Sequence, residues 1–277
     1  LEPLEHNLFR GRSPKAGWQR VFGGQVIGQA LAAANRTVED RFAHSLHGYF
    51  MRPGDEDYPI IYRVVRDFDG GSFANRRIIA LQRGQPILNM IASFQRPEDG
   101  LRHQDAMPDV PPPEDLRSEN EVRKEYSTEI PEKFRPFFLR ERPIEIRPCD
   151  PRYWMHPEPR PAVQSSWFRL VGTAPDDPAL HRAILAYASD MALLGTSMLP
   201  HGVNWLTTRM QTASLDHAVW LHEDFRADEW LLYHCDSPWA GHGRGFNRGQ
   251  IFTQDGRLVA STSQEGLIRL RDKPEKD

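Results

Sequence analysis

Residues 178–195 read PALHRAILAYASDMALLG, and this stretch decides the fold. Its apolar residues fall at helical spacing. Asp177 ahead of it is a good N-cap, Pro178 suits the first helical position, and Gly195 suits the stop. Strands are predicted to follow at 215–223 (LDHAVWLHE), 229–237 (EWLLYHCDS), 244–254 (RGFNRGQIFTQ) and 257–268 (RLVASTSQEGLI). Asp255-Gly256 makes a tight turn between the last two.

The first hundred residues repeat this order. GGQVIGQALAAANRTV at 23–38 carries apolar residues at 26, 27, 30, 31 and 34, again helical spacing. Strands are predicted at 44–52, 58–68, 73–82 and 86–95, the last two joined by Arg83-Gly84-Gln85. Asn75-Arg76 lies over Asn247-Arg248 and Gly84 over Gly256, both at an offset of 172. That period is far too long for a solenoid and points to two similar domains in tandem. One long helix followed by antiparallel strands, twice, is α+β organisation. The expected division is an N-terminal domain at 1–100, a linker at 101–145 rich in Pro and charge (PDVPPPEDL at 108–116, one short helix near 114–126), and a C-terminal domain at 146–277.

Composition narrows the partners. With 35 basic and 38 acidic residues the net charge is −3, so no basic field draws nucleic acid or an anionic membrane. Of the 35 basic residues 30 are Arg, a choice that suits phosphate but equally follows from codon bias. Cys149 and Cys235 have no CxxC spacing and the eleven His are scattered singly, which argues against a metal site. No apolar run reads as a membrane span, no stable membrane insertion is expected, and the cytoplasm is the default compartment.

Asp190 is the most informative residue. Its neighbours three and four positions away are Ala186, Tyr187, Leu193 and Leu194, so a carboxylate sits on an apolar stripe without a cation along the helix. Function or a tertiary partner both explain it. Ser214 and Gln264 could join Asp190 in holding one water: the carboxylate takes its proton and the other two direct it. Taken singly, each also fits a local cap or a solvated strand side chain. A Ser214–His217–Asp190 triad fits poorly, because three residues along one strand put Ser214 and His217 on opposite faces. Gly23 and Gly24, followed by Gln25, open the first helix, where free N–H groups can hold an oxyanion or substrate; a tight turn explains them as well. No GxSxG elbow, P-loop or dinucleotide fingerprint occurs.

VFGGQVIGQAL (21–31), HSLHGYFMRPGD (44–55), PIIYRVVRDFDGGSF (59–73), LAYASD (185–190), SLDHAVWLH (214–222), EWLLY (229–233) and FTQDGRLVASTSQEGLIR (252–269) together resemble the bacterial acyl-CoA thioesterase II family, which includes peroxisomal acyl-CoA thioesterases. The resemblance runs from about residue 8 to 270, weakest over 101–165. It implies a double hot-dog fold, two helices each wrapped by a sheet. It implies hydrolysis of fatty acyl-CoA to free acid and CoA without cofactor or metal, and a homo-oligomer, dimer or tetramer. It places the family's catalytic Asp on Asp190, its Gln on Gln264 and its third residue, usually Thr, on Ser214. Two rivals remain: a hot-dog enoyl-CoA hydratase or dehydratase, and a non-catalytic acyl-CoA-binding protein. Acyl chain length is not legible.

Overall fold

Small residues on one face of each long helix set the architecture. The computed structural model describes residues 1–14, 20–150 and 156–271. The first half runs β1 Glu2–Glu5, β2 Leu8–Gly11, α1 Gly23–Asn35, β3 Phe42–Phe50, β4 Ile60–Asp69, β5 Phe73–Gln82 and β6 Gln85–Gln95. Short helices α2 Glu119–Glu125 and α3 Arg135–Phe138 follow. The second half runs β7 Ile144–Pro148, β8 Val163–Leu170, α4 Pro178–Ser189, β9 Met210–Ser214, β10 Asp216–Leu221, β11 Leu231–Gly241, β12 Arg244–Thr253 and β13 Leu258–Leu270.

All thirteen strands form one antiparallel sheet in the order β1-β2-β4-β5-β6-β3-β10-β13-β12-β11-β8-β7, with β9 also on β13. The two halves meet at the β3–β10 seam, where Val219 faces Leu46 and Asp216 faces Tyr49. Each half wraps its own long helix, which is the double hot-dog. The helices lie against each other antiparallel. A Cβ on Gly24 would stand 2.3 Å from the Tyr187 carbonyl and one on Gly28 2.9 Å from that of Ala183, so only glycine permits this spacing. At the far end Asn35 Nδ2 donates to the Ala179 carbonyl (3.4 Å). Ile27, Leu31, Leu46, Ile78, Leu88 and Leu185 are fully buried in the shared core, each worth about 1.5–3 kcal/mol.

Several expectations need correction. Aligning Asn75-Arg76 with Asn247-Arg248 is one residue out of register. Arg76 is buried and Arg248 exposed, and a one-residue slip moves a side chain to the other face of a strand. Pairing puts Arg76 beside Ala92 and Asn247 beside Gln264, so Arg76 and Asn247 hold equivalent places. The second helix stops at Ser189, with Asp190 as its C-cap, and a 3-10 segment, Leu194–His201, follows. Tertiary bonds compete with further helix there: Gln164 Nε2 donates to the Ala192 carbonyl (3.0 Å) and the Ser197 N–H to Asn247 Oδ1 (2.9 Å). Pro178–His201 is also long and apolar enough to cross a membrane by length and composition, contrary to the expectation, but more than half of it is buried, as a core helix requires.

Residues 104–116 lie on the outer face of the second half. Trp167 Nε1 donates to the Pro111 carbonyl (2.9 Å), Gln104 Nε2 to that of Gly256 (2.8 Å), and Met107, Val110 and Leu116 cover Trp167, Leu232 and Phe252. The helix expected near 114–126 is α2, opened by a capping box in which Ser118 and Glu121 bond reciprocally.

Candidate active site

Asp190 ends α4 and faces the start of α1. Two different ends of two helices therefore meet at one carboxylate: the negative end of the α4 dipole and the positive end of α1. The Asp190 carboxylate accepts from Ser214 Oγ (3.2 Å) and Gln264 Nε2 (2.6 Å), both on Oδ1, and from the Gly24 backbone N–H. Burial dominates all the same and pushes its pKa up to about 6, against the lowering by Gln264, Ser214 and Gly24.

The structure thus brings Asp190, Ser214 and Gln264 together. Ser214 ends β9, opposite Gly266 on β13. Gln264 lies mid-strand on β13 and is 1% exposed, not solvated. Its second N–H contact is His217 Nδ1 (3.0 Å), while its Oε1 is buried with no partner among the described residues. That oxygen is a buried acceptor that no donor among the described residues satisfies.

The alternation of strand faces that weighs against a Ser214–His217–Asp190 triad does not hold here. Ser214 pairs with Gly266 but Ala218 with Ser263, a one-residue shift between β9 and β10. The extra residue, Leu215, is a bulge that returns Ser214 and His217 to the same face. The triad still does not form: the ring nitrogens of His217 meet Ser189 Oγ (2.8 Å) and Gln264, not Ser214. Burial holds the His217 pKa down to about 3, so the ring is neutral.

Gly23 and Gly24 are at the site, in a more specific way than expected. A Cβ on Gly23 would stand 2.7 Å from Asp190 Oδ2 and 2.9 Å from the Phe50 ring. The Gly24 N–H already serves the carboxylate. Gln25 turns away, its Nε2 donating to the Arg12 carbonyl (2.9 Å), as does Gln29 (3.0 Å). Gln29 lies mid-helix and accepts from Tyr62 OH (2.9 Å), and the C-cap position of α1, where α4 has Asp190, is Arg36. In the first half the row Arg76–Ala92–Leu46 stands where the second half has Asn247–Gln264–His217, so that half carries no amide or imidazole there.

A cavity of about 330 Å³ adjoins the segment after Asp190, with Met191, Ala192, Gln164, Met198, Leu199 and Trp205 among its walls. Among the described residues, no three His, Cys, Asp or Glu side chains are grouped to hold a metal ion.

Comparison with known proteins places the chain in a family. Residues 138–267 match a family model described as acyl-CoA thioesterase, and residues 11–95 match one described as acyl-CoA thioesterase N-terminal domain. The chain is 42% identical to acyl-CoA thioesterase 2 of Haemophilus influenzae, over 98% of this chain and 96% of that one. It is 42% identical to human acyl-coenzyme A thioesterase 8, over 98% of this chain and 87% of that one. Among solved structures it resembles an acyl-CoA thioesterase II from Mycobacterium marinum, with a TM-score of 0.79, 44% identity, and 98% and 96% of the two chains covered.

Proposed function

The chain belongs to the acyl-CoA thioesterase family, and from that premise we propose that it hydrolyses fatty acyl-CoA to free fatty acid and CoA with water activated by Asp190, Ser214 and Gln264. The observation that carries the reading is the convergence of a hydroxyl and an amide on one enclosed carboxylate oxygen whose pKa is raised to about 6. A base with a pKa near the working pH is strong enough to take a proton from water and still ionised enough to be available.

The ionised Asp190 removes a proton from a water that also donates to Gln264 Oε1, and the hydroxide attacks the thioester carbonyl carbon. A first-turn N–H of α1, at Gly23, stabilises the oxyanion. The intermediate collapses by breaking the C–S bond. CoA leaves as a thiolate, a far better leaving group than an amine, and Asp190 returns its proton to the bulk or the thiolate. The catalytic side chains all come from 146–277, and 1–100 contributes the helix end. The cavity beside Met191 takes part of the substrate.

Thiol release from acetyl-, octanoyl- and palmitoyl-CoA tests the reaction and ranks chain lengths. Hydration of crotonyl-CoA without thiol release would overturn it. Because the base must be ionised, kcat/KM should fall about tenfold per pH unit below about pH 6 and level off above it. A profile flat from pH 4.5 to 8 contradicts the assignment of Asp190. Single turnover in oxygen-18 water separates two routes: label in the fatty acid alone supports direct attack by water, and label in Asp190 shows an anhydride formed by the carboxylate itself.

A further inference from the structure

His217 is the one buried imidazole beside the catalytic carboxylate that the proposed chemistry does not use. It is 1% exposed. Its tautomer follows from the Gln264 amide, whose nitrogen the ionised Asp190 Oδ1 requires at 2.6 Å. The Gln264 amide nitrogen is only a donor, so His217 Nδ1 must be the acceptor in the 3.0 Å contact. The proton therefore sits on Nε2 and is donated to Ser189 Oγ (2.8 Å). Ser189 Oγ in turn donates to the Ala186 carbonyl on α4 (3.0 Å). A directed chain runs from Asp190 through Gln264, His217 and Ser189 back to the helix that carries Asp190. Tyr233 OH fixes its last member by donating to the Ser189 carbonyl (3.0 Å).

The ionised Asp190 sets which way the Gln264 amide faces. With Nε2 turned to Asp190 and His217, Oε1 is left over as the buried acceptor without a partner. If the amide were reversed, Oε1 would stand 2.6 Å from the ionised Asp190 Oδ1 with no proton between them. Asp190 alone leaves the amide one fixed bond about which it can swing; His217 supplies the second.

We propose that His217 is a positioning residue: as the neutral Nε2–H tautomer it locks the Gln264 amide so that Oε1 faces the attacking water. The proposal rests on the role given to Asp190 and Gln264 above. It adds a residue that touches neither substrate nor water and acts only through Gln264.

His217→Leu removes the acceptor and is expected to lower kcat about 100-fold, with KM within about twofold, because the water is misdirected and substrate binding is untouched. His217→Asn, whose Oδ1 replaces Nδ1 as acceptor, should recover most of that loss. In a Gln264→Leu background His217→Leu should cost nothing further. A His217→Leu enzyme within twofold of wild-type kcat, or an additive loss in the double variant, overturns the proposal. A purely structural role would lower Tm in both His217 variants without separating kcat from KM. Should His217→Leu fail to fold, the wild type decides. Asp216-His217 is the one Asp-His pair in the chain, so carbonyl-labelled Asp with nitrogen-15 His assigns the ring. A non-titrating Nε2–H ring from pH 5 to 9 is expected; an Nδ1–H ring or one that titrates in that range refutes the lock. That readout is independent of turnover, so failure of the Asp190 role and failure of the His217 role are distinguishable.

Discussion

Asp190→Asn is expected to lower kcat by about 1,000-fold or more on any acyl-CoA the wild type hydrolyses, with the fold retained. General-base catalysis contributes about 10²–10⁴, and an amide has no basicity to offer water. The same variant should show the opposite sign in stability. The folded-state pKa of Asp190 is raised from 3.8 to about 6, so the folded protein holds this proton more tightly than the unfolded chain. The stability this confers is complete below about pH 3.8 and lost as pH rises through about 6. At pH 8 the ionised carboxylate then works against folding by about 3 kcal/mol, and Asn removes that cost while losing one acceptor oxygen. We expect Asp190→Asn to be as stable as wild type at pH 8, or more stable by about 1–3 kcal/mol. Thiol release together with denaturant unfolding at pH 5 and 8 tests both parts. Near-normal turnover would remove Asp190 from the mechanism, and an unfolded variant would show that the carboxylate holds the structure.

The largest loss of stability is expected at Arg76, far from the chemistry. Its guanidinium is 1% exposed and donates to Thr37 Oγ1 (2.9 Å), the carbonyls of Thr37 (3.0 Å), Phe68 (3.1 Å) and Asn75 (2.9 Å), and Asp69 Oδ1 (2.6 Å). It ties the C-terminal end of α1 to the bend between β4 and β5. Arg76→Leu fits the volume but orphans the two buried Thr37 acceptors, each costing about 1–3 kcal/mol, while the carbonyls of Phe68 and Asn75 are only part-buried and can recover water. Asp69 is half exposed and recovers water, which limits its share. The sum is about 3 kcal/mol and a Tm lower by roughly 6–12 °C, with kcat little changed because Arg76 lies in the half that does not carry Asp190, Ser214 and Gln264. A Tm within 2 °C of wild type would mean that the end of α1 is held by packing alone.

Much of this was legible in the sequence because it rests on local pattern. The two helices and eight of the strands lie where periodicity placed them, since their inner faces meet a helix and their outer faces, apart from the parts of β11 and β12 under residues 104–116, meet water. What was missed follows from context. β8 shows no alternation, with Gln164 to Phe168 buried on both faces, because residues 104–116 cover its back; a strand so placed has no period to read. The bulge at Leu215 depends on β9 and β10 both pairing with β13, a long-range fact. That Ser214 and His217 share a face is hidden for the same reason, since one extra residue reverses the faces. Gln264 looked like a solvated strand amide until the fold enclosed it. Asp190 stood out because a lone carboxylate on an apolar stripe is costly wherever it falls.

The seam between β3 and β10 has a consequence for how such a protein evolves. A pair of identical hot-dog chains must carry every change twice, so both sites are kept or both are lost. Fusion lifts that constraint. Here one copy has Leu46 and Ala92 where the other has His217 and Gln264, yet it still lends the Gly24 N–H to its neighbour's carboxylate. Each copy has become dependent on the other, so neither is expected to work when expressed alone. The enzyme should count one active site per chain, and a slow, tight inhibitor should titrate at one equivalent per polypeptide.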